Sequence, residues 1–190
     1  MYADRLFNAL ERNEPGPGQL LIAAPGMMSP EFARSVVLMI QEDVGVVLNN
    51  RSEVAVFNVL PEWVDIVAAP QALYIGGPVN QQSVVGLAMT KPDVKSHPEL
   101  RFLAPRLAYV DLRAEPPSDA VVGMRLFAGL AQWAPGQLAS EIQSGDWYVA
   151  PALAQDVITP GAADLWSDVM KRQPMPLPLY STFPANVGSN

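Results

Sequence analysis

Apolar positions along the chain fall into short blocks separated by proline, glycine and polar turns. Leu20-Leu21-Ile22-Ala23-Ala24 stops at Pro25-Gly26, Val36-Val37-Leu38-Met39-Ile40 stops at Gln41, and the block at 44–48 runs into Asn49. Uninterrupted apolar runs of this length predict buried strands. Further strands are predicted at 73–75, 84–89, 107–112, 125–130 and 147–150. Helical spacing is scarcer. Leu6, Phe7 and Leu10 predict a short amphipathic helix over 2–12, stopped by Pro15-Gly16-Pro17-Gly18. Leu138, Glu141 and Ile142 predict a second short helix closed by Gly145. Leu165, Trp166, Val169 and Met170 predict a third over 164–172, with Lys171-Arg172 at the negative end of its dipole. Ser29-Pro30-Glu31 has the order of a helix start, but the block at Val36 leaves room only for a turn. Asn49-Asn50-Arg51-Ser52 and residues 90–101 read as polar loops.

Short strands interrupted by single short helices, without regular βαβ spacing, predict an α+β domain with a largely antiparallel sheet. Prolines are dispersed among the turns, and no linker divides the 190 residues, so the expectation is one compact domain over 1–190. With 49% hydrophobic and 16% charged residues the chain is too apolar to be disordered. Lys and Arg number 12 against 19 Asp and Glu, a formal charge of −7, which argues against direct DNA binding through a basic face. The N-terminus lacks the apolar stretch of a secretory signal, and no run is long enough to span a membrane; both favour a cytoplasmic protein.

Candidate chemistry is sparse. There is no cysteine, and His97 is the single histidine, so no thiolate or histidine-rich metal site is expected, and no cofactor. His97 lies in the 90–101 loop and is read as a solvated side chain rather than a triad base. Ser35 precedes an apolar strand without a GxSxG elbow, which suits capping better than nucleophilic attack. The four tryptophans, 63, 133, 147 and 166, are read as core. Gly76-Gly77-Pro78-Val79 could aim backbone N–H groups at an anion, and Asn49-Asn50-Arg51 could offer an amide and a guanidinium. Each string alone is read more simply as a turn between strands and an exposed loop arginine.

Three ordered strings together resemble one family. The first is Gly18-Gln19-Leu20-Leu21-Ile22-Ala23-Ala24-Pro25-Gly26-Met27, continuing through Pro30, Phe32 and Arg34-Ser35-Val36-Val37-Leu38 into Gly45-Val46-Val47-Leu48-Asn49. The second is Tyr74-Ile75-Gly76-Gly77-Pro78-Val79. The third is Arg125-Leu126-Phe127-Ala128-Gly129 with Trp133-Ala134-Pro135-Gly136-Gln137-Leu138, Glu141-Ile142 and Trp147. This is similar to the AlgH/YqgE family of bacterial proteins in its actinobacterial form, over nearly all of the chain from Gly18. The resemblance implies residues 18–190 as the family core, preceded by a helix and linker at 1–17. It implies a barrel-like, mostly antiparallel sheet flanked by short helices, and a bacterial cytoplasmic protein. The family carries a transcriptional-regulator label tied to alginate synthesis but no characterised activity.

Departures from the family pattern matter too. Gln41-Glu42-Asp43 stands where a Glu-His-Asp string is usual, and Gly86-Leu87-Ala88-Met89 where another histidine is common. No mechanism that needs those histidines operates here. Asn49-Asn50-Arg51-Ser52 replaces an Asn-Arg-Pro turn, and the segment between Asp43 and Gly45 is several residues short. Three functions stay in view. The first is a noncatalytic binding or regulatory protein with a turn-lined cleft for a small anionic ligand or a peptide. Its site residues would be Ser35, Asn49, Arg51, Gly76, Gly77 and Pro78. The second is a hydrolase or transferase using Glu42, Asp43 or Glu141 as acid and base. The third is a structural partner within a protein complex.

Overall fold

The computed structural model describes residues 14–160 and 164–185 of the chain; the helix predicted over 2–12 lies outside them. The described strands are β1 (Gln19–Ala23), β2 (Val36–Gln41), β3 (Val44–Val47), β4 (Arg51–Ala55), β5 (Ala72–Ile75), β6 (Val79–Thr90), β7 (Leu100–Ala104), β8 (Leu107–Val110), β9 (Val121–Gln132) and β10 (Trp147–Pro151). Short helices follow at α1 (Gln137–Gln143), α2 (Leu165–Lys171) and α3 (Leu177–Tyr180), with 3-10 turns at Val56–Asn58, Pro61–Ile66 and Ala154–Ile158. The main path of the sheet is β10-β1-β2-β3-β9-β6-β8-β7, and β4 joins it through β5, which pairs with β9. Every pairing is antiparallel except β5 with β9. The predicted α+β domain with a largely antiparallel sheet is therefore the fold observed.

The uninterrupted apolar runs are explained by burial of both faces. Alternate residues of β1 and β2 face opposite ways, as the two-residue period of a strand requires. Leu20, Ile22, Val36, Leu38 and Ile40 enter one core with Trp166, Val169 and Met170 of α2. Leu21, Ala23, Val37 and Met39 enter a second with Trp133, Leu138 and Trp147. A third core, under the Pro61–Ile66 turn, joins Trp63 to Met124, Leu126 and Ala128 of β9. The sheet curls far enough that the Arg101 side chain of β7 donates to the Ile40 carbonyl of β2 at 3.2 Å. At Gly18 any side chain would run into the Leu103 carbonyl, so the approach of β7 to the start of β1 requires glycine. The result is a half-barrel.

Some sequence expectations need correction. Arg51 and Ser52 are not loop but the first residues of β4, paired opposite β5. The 90–101 loop ends early, because Leu100 and Arg101 begin β7. His97 is only partly exposed: its Nδ1 accepts the Glu99 N–H at 3.2 Å and its Nε2 lies 3.8 Å from Asp119. Lys171 and Arg172 end α2 as expected, and Arg172 in addition forks onto the buried Asp156 carboxylate at 2.7 and 2.6 Å. The short segment after Asp43 closes as a tight hairpin, with Gln41 opposite Val44. Among the described residues no helix is long and apolar enough to cross a membrane.

Candidate functional site

One end of the sheet collects the turns after β1, β3, β5 and β9. Pro25-Gly26 ends β1, and the chain returns to β2 through turns in which Phe32 N–H donates to Ser29 and Ser35 N–H donates to Phe32. Phe32 lands between two indoles, its ring centre 6.4 Å from that of Trp133 and 5.7 Å from that of Trp147. The indoles meet edge to face at 6.1 Å, the arrangement their quadrupoles favour. Their common anchor is Glu141. Its Oε2 accepts the Nε1–H of both Trp133 and Trp147 at 2.9 Å, and its Oε1 accepts from Gln137 at 2.9 Å. Gln137 Oε1 in turn accepts the Ala134 N–H at 3.0 Å.

Local sequence builds this anchor. Trp133 follows β9, Gly136 takes φ 79° to turn the chain into α1, and Glu141 lies one helical turn beyond Gln137 on the same face. Trp147 then opens β10. The string from Trp133 to Trp147 is thus one hydrogen-bonded unit.

A cleft of about 320 Å³ lies here, lined among others by Met27, Met28, Phe32, Trp133, Glu141 and Asp146. A second depression of about 140 Å³ is lined by Glu31, Phe32, Asn50, Ile75, Gly77 and Pro78 together with Val47 and Gln81. Phe32 lines both, so the two depressions adjoin at this residue, and together they are called the groove. The charged residues lining it are Glu31, Glu141 and Asp146, and no lining residue is Lys, Arg or His.

The predicted site residues are distributed more widely. Gly77 and Pro78 border the groove. The Gly76 N–H donates to the Ala128 carbonyl at 2.7 Å, and its carbonyl accepts from Val47 at 2.8 Å. Added side chains at Gly76 and Gly77 would meet the β9 backbone at Gly129 and Leu130, so the pair serves close approach of two backbones. Asn49 works as a splint: its Oδ1 accepts the Val36 N–H at 3.0 Å and its Nδ2 donates to the Arg34 carbonyl at 2.8 Å. Arg51 lies with Asn49 and Tyr74 around a separate cavity of about 30 Å³. Ser35 is buried and lines neither. Of the acid/base candidates, Glu42 and Asp43 form the β2–β3 turn and do not line the groove with Glu141.

A larger, open depression of about 480 Å³ lies along β7 and β8 and includes Arg101, Tyr109, Asp111 and Arg113. Arg113 donates to Asp111 at 2.9 and 2.8 Å and pulls that carboxyl down to about 2. Among the described residues no group of three His, Asp or Glu could hold a metal ion. Sequence reasoning missed two features. Nothing in the sequence marks Phe32 and Met28 as site residues, and Glu141 reads there as an acid or base rather than an indole acceptor. The signal was present in the two tryptophans flanking a helix with Gln137 and Glu141 one turn apart.

Comparisons with known proteins bear on the whole chain. A family model described as AlgH-like matches residues 20–178. A UPF0301 protein of Corynebacterium efficiens is 60% identical, with 100% of this chain and 98% of that protein covered. One from Mycobacterium tuberculosis is 42% identical over 91% of this chain and 90% of its own length. A crystal structure of a Corynebacterium diphtheriae protein is 62% identical, with TM-score 0.88, covering 96% of this chain and 100% of that one. The solution structure of the AlgH protein from Pseudomonas aeruginosa, at 22% identity, has TM-score 0.61 over 87% of this chain and 93% of its own, a likeness of fold.

Proposed function

The chain belongs to the AlgH-like family, and from that premise we propose that it is a noncatalytic binding protein of the bacterial cytoplasm. Its working surface is the groove across Phe32, and its ligand is a segment of a partner protein that carries Lys or Arg among apolar side chains. The observation that carries this is convergence. Turns from all three family strings meet at one groove, whose walls are aromatic and thioether side chains and whose charges are all negative. Loops held by a rigid sheet are where binding function concentrates. Met27, Met28 and Phe32 offer soft, adaptable apolar contact, and Glu31 and Asp146 suit a cationic side chain. The carboxylate in the larger lobe is committed to structure: three N–H donors occupy Glu141, which favours binding over acid/base work. A regulatory role exercised through a protein partner needs no basic DNA-binding face and fits the charge of −7.

The test uses two short peptides, one alternating Lys and Leu, the other Glu and Leu, titrated while tryptophan emission is followed. Trp133 and Trp147 at the groove report occupancy. The Lys/Leu peptide is expected to give a saturable change and the Glu/Leu peptide none. Met28 and Glu31 are exposed at the rim, so M28K combined with E31K leaves the fold intact and weakens binding at least about tenfold. Equal response to both peptides, or unchanged affinity in the double variant, would overturn the proposal.

A further inference from the structure

The chain carries eight methionines and no cysteine, so thioethers are its oxidisable sulfurs. Burial ranks them sharply. Met39, Met124 and Met170 are completely buried, and Met27 and Met89 are half-buried. Met28 and Met175 are exposed, at 92% and 54%.

Local structure accounts for the contrast between the neighbours Met27 and Met28. The Met27 N–H donates to the Ala24 carbonyl at 3.0 Å and closes the turn after β1. Met27 then packs against the core of Trp133, Leu138 and Trp147. Met28, one residue on, is the most exposed large apolar side chain among the described residues. Both line the cleft that also holds Trp133, Glu141 and Trp147. An intact thioether there is soft, adaptable apolar surface. The same exposure opens its sulfur to oxidants. Hydrogen peroxide is uncharged at neutral pH, so the carboxylates of Glu31, Glu141 and Asp146 do not repel it from the groove.

We propose that Met28 is an oxidative modification site, and that its conversion to the sulfoxide by a hydroperoxide weakens the hold of the groove on apolar ligands. A lone pair on the Met28 sulfur attacks one peroxide oxygen, and the S–O bond forms as the O–O bond breaks. Proton transfer lets the departing oxygen leave as water, or as an alcohol from an alkyl hydroperoxide. Sulfur is oxidised and the peroxide reduced by the same electron pair. The sulfoxide oxygen is polar and keeps its hydration, so the side chain no longer offers dry apolar contact to a partner segment. Sulfoxide reductases supplied with a dithiol reverse the step: the oxygen leaves as water and the dithiol becomes a disulfide.

This inference rests on the groove being the peptide-binding surface. The full chain is treated with limiting hydrogen peroxide, and oxidation at each methionine is read by mass spectrometry of its proteolytic peptides. The same samples are titrated with the Lys/Leu peptide. Met28 is expected to oxidise first, ahead of Met175, while Met39, Met124 and Met170 stay reduced. Affinity should fall about fivefold or more and return after treatment with reductases for both sulfoxide epimers. In M28L the affinity should be equal before and after peroxide, whatever its starting value. M175L should lose affinity on oxidation as the wild type does. Oxidation of Met28 no faster than that of Met39, or a peroxide-dependent loss retained in M28L, would overturn the proposal. Equal affinity of the reduced and Met28-oxidised chains would overturn this inference alone. A peptide that does not bind the reduced chain would overturn the groove reading and this inference with it.

Discussion

Glu141 explains how two tryptophans can border a solvent-facing groove and still hold one orientation. A single carboxylate oxygen accepts both indole N–H groups, so each ring is fixed at its polar edge as well as by packing. Replacing Glu141 by Ala leaves two largely buried donors without that acceptor, at a cost of about 1–3 kcal/mol for each group left unsatisfied. E141Q keeps one carbonyl oxygen and should fall between wild type and E141A in a urea titration followed by tryptophan fluorescence. Wild-type stability in E141A would mean the indoles are anchored otherwise. Asp111 makes a second residue-scale prediction. Its folded pKa of about 2 lies below its ordinary value, so its favourable term is present above the unfolded pKa and is lost as pH falls through about 2. R113Q should return the Asp111 carboxyl toward its ordinary value in an NMR titration, with little change in stability, because the pair is exposed to solvent. Residue types alone show only part of Asn49. Amide and guanidinium in sequence suggest an anion site; that the Asn49 amide also extends the β2 ladder is visible only once Val36 and Asn49 are neighbours.

At the scale of elements, strands with two buried faces are legible, as is the edge strand β10, whereas the edge strands β4 and β7 are not. β1 and β2 announce themselves as apolar runs because each packs against a core on either side. β4 carries Arg51, Ser52 and Glu53 on an exposed margin, and only its backbone pairing with β5 makes it a strand. β7 is hidden in the same way, beginning Leu100-Arg101 at the end of a polar segment. The Gly76-Gly77 pair was read as a turn with N–H groups to spare, but its demand for glycine is steric. The segment crosses β9 so closely that an added Cβ at Gly77 meets the Leu130 carbonyl. G77A is expected to destabilise by about 3 kcal/mol or more, because backbone must move to admit one methyl group. G136A is the control: its left-handed φ of 79° costs about 1–2 kcal/mol, but nothing lies within 4 Å of the new carbon. Urea midpoints that rank G136A as the more damaging change would contradict this assignment of the β5–β9 contact.

For the molecule as a whole, the half-barrel brings together what the chain keeps far apart. The turns at Met27–Phe32, at Asn50, at Gly77–Pro78 and at 133–141 are separated by long stretches of sequence, yet all border Phe32. The cleft reading requires that these turns meet, and the sign of the groove is not legible in the sequence. Arg51, the cation expected to define it, lies in a different cavity, and the groove retains only carboxylates. Charge placement of this kind depends on which face of β4 meets which neighbour, and in sequence Arg51-Ser52 reads as loop. The most direct measurement of the central claim is an amide NMR spectrum of the isotope-labelled chain titrated with the alternating Lys/Leu peptide. Shifts that saturate and cluster on residues 27–32, Asn50, 77–81 and 132–147 are the predicted result. Shifts scattered over the surface, or centred on the depression along β7 and β8, would contradict it.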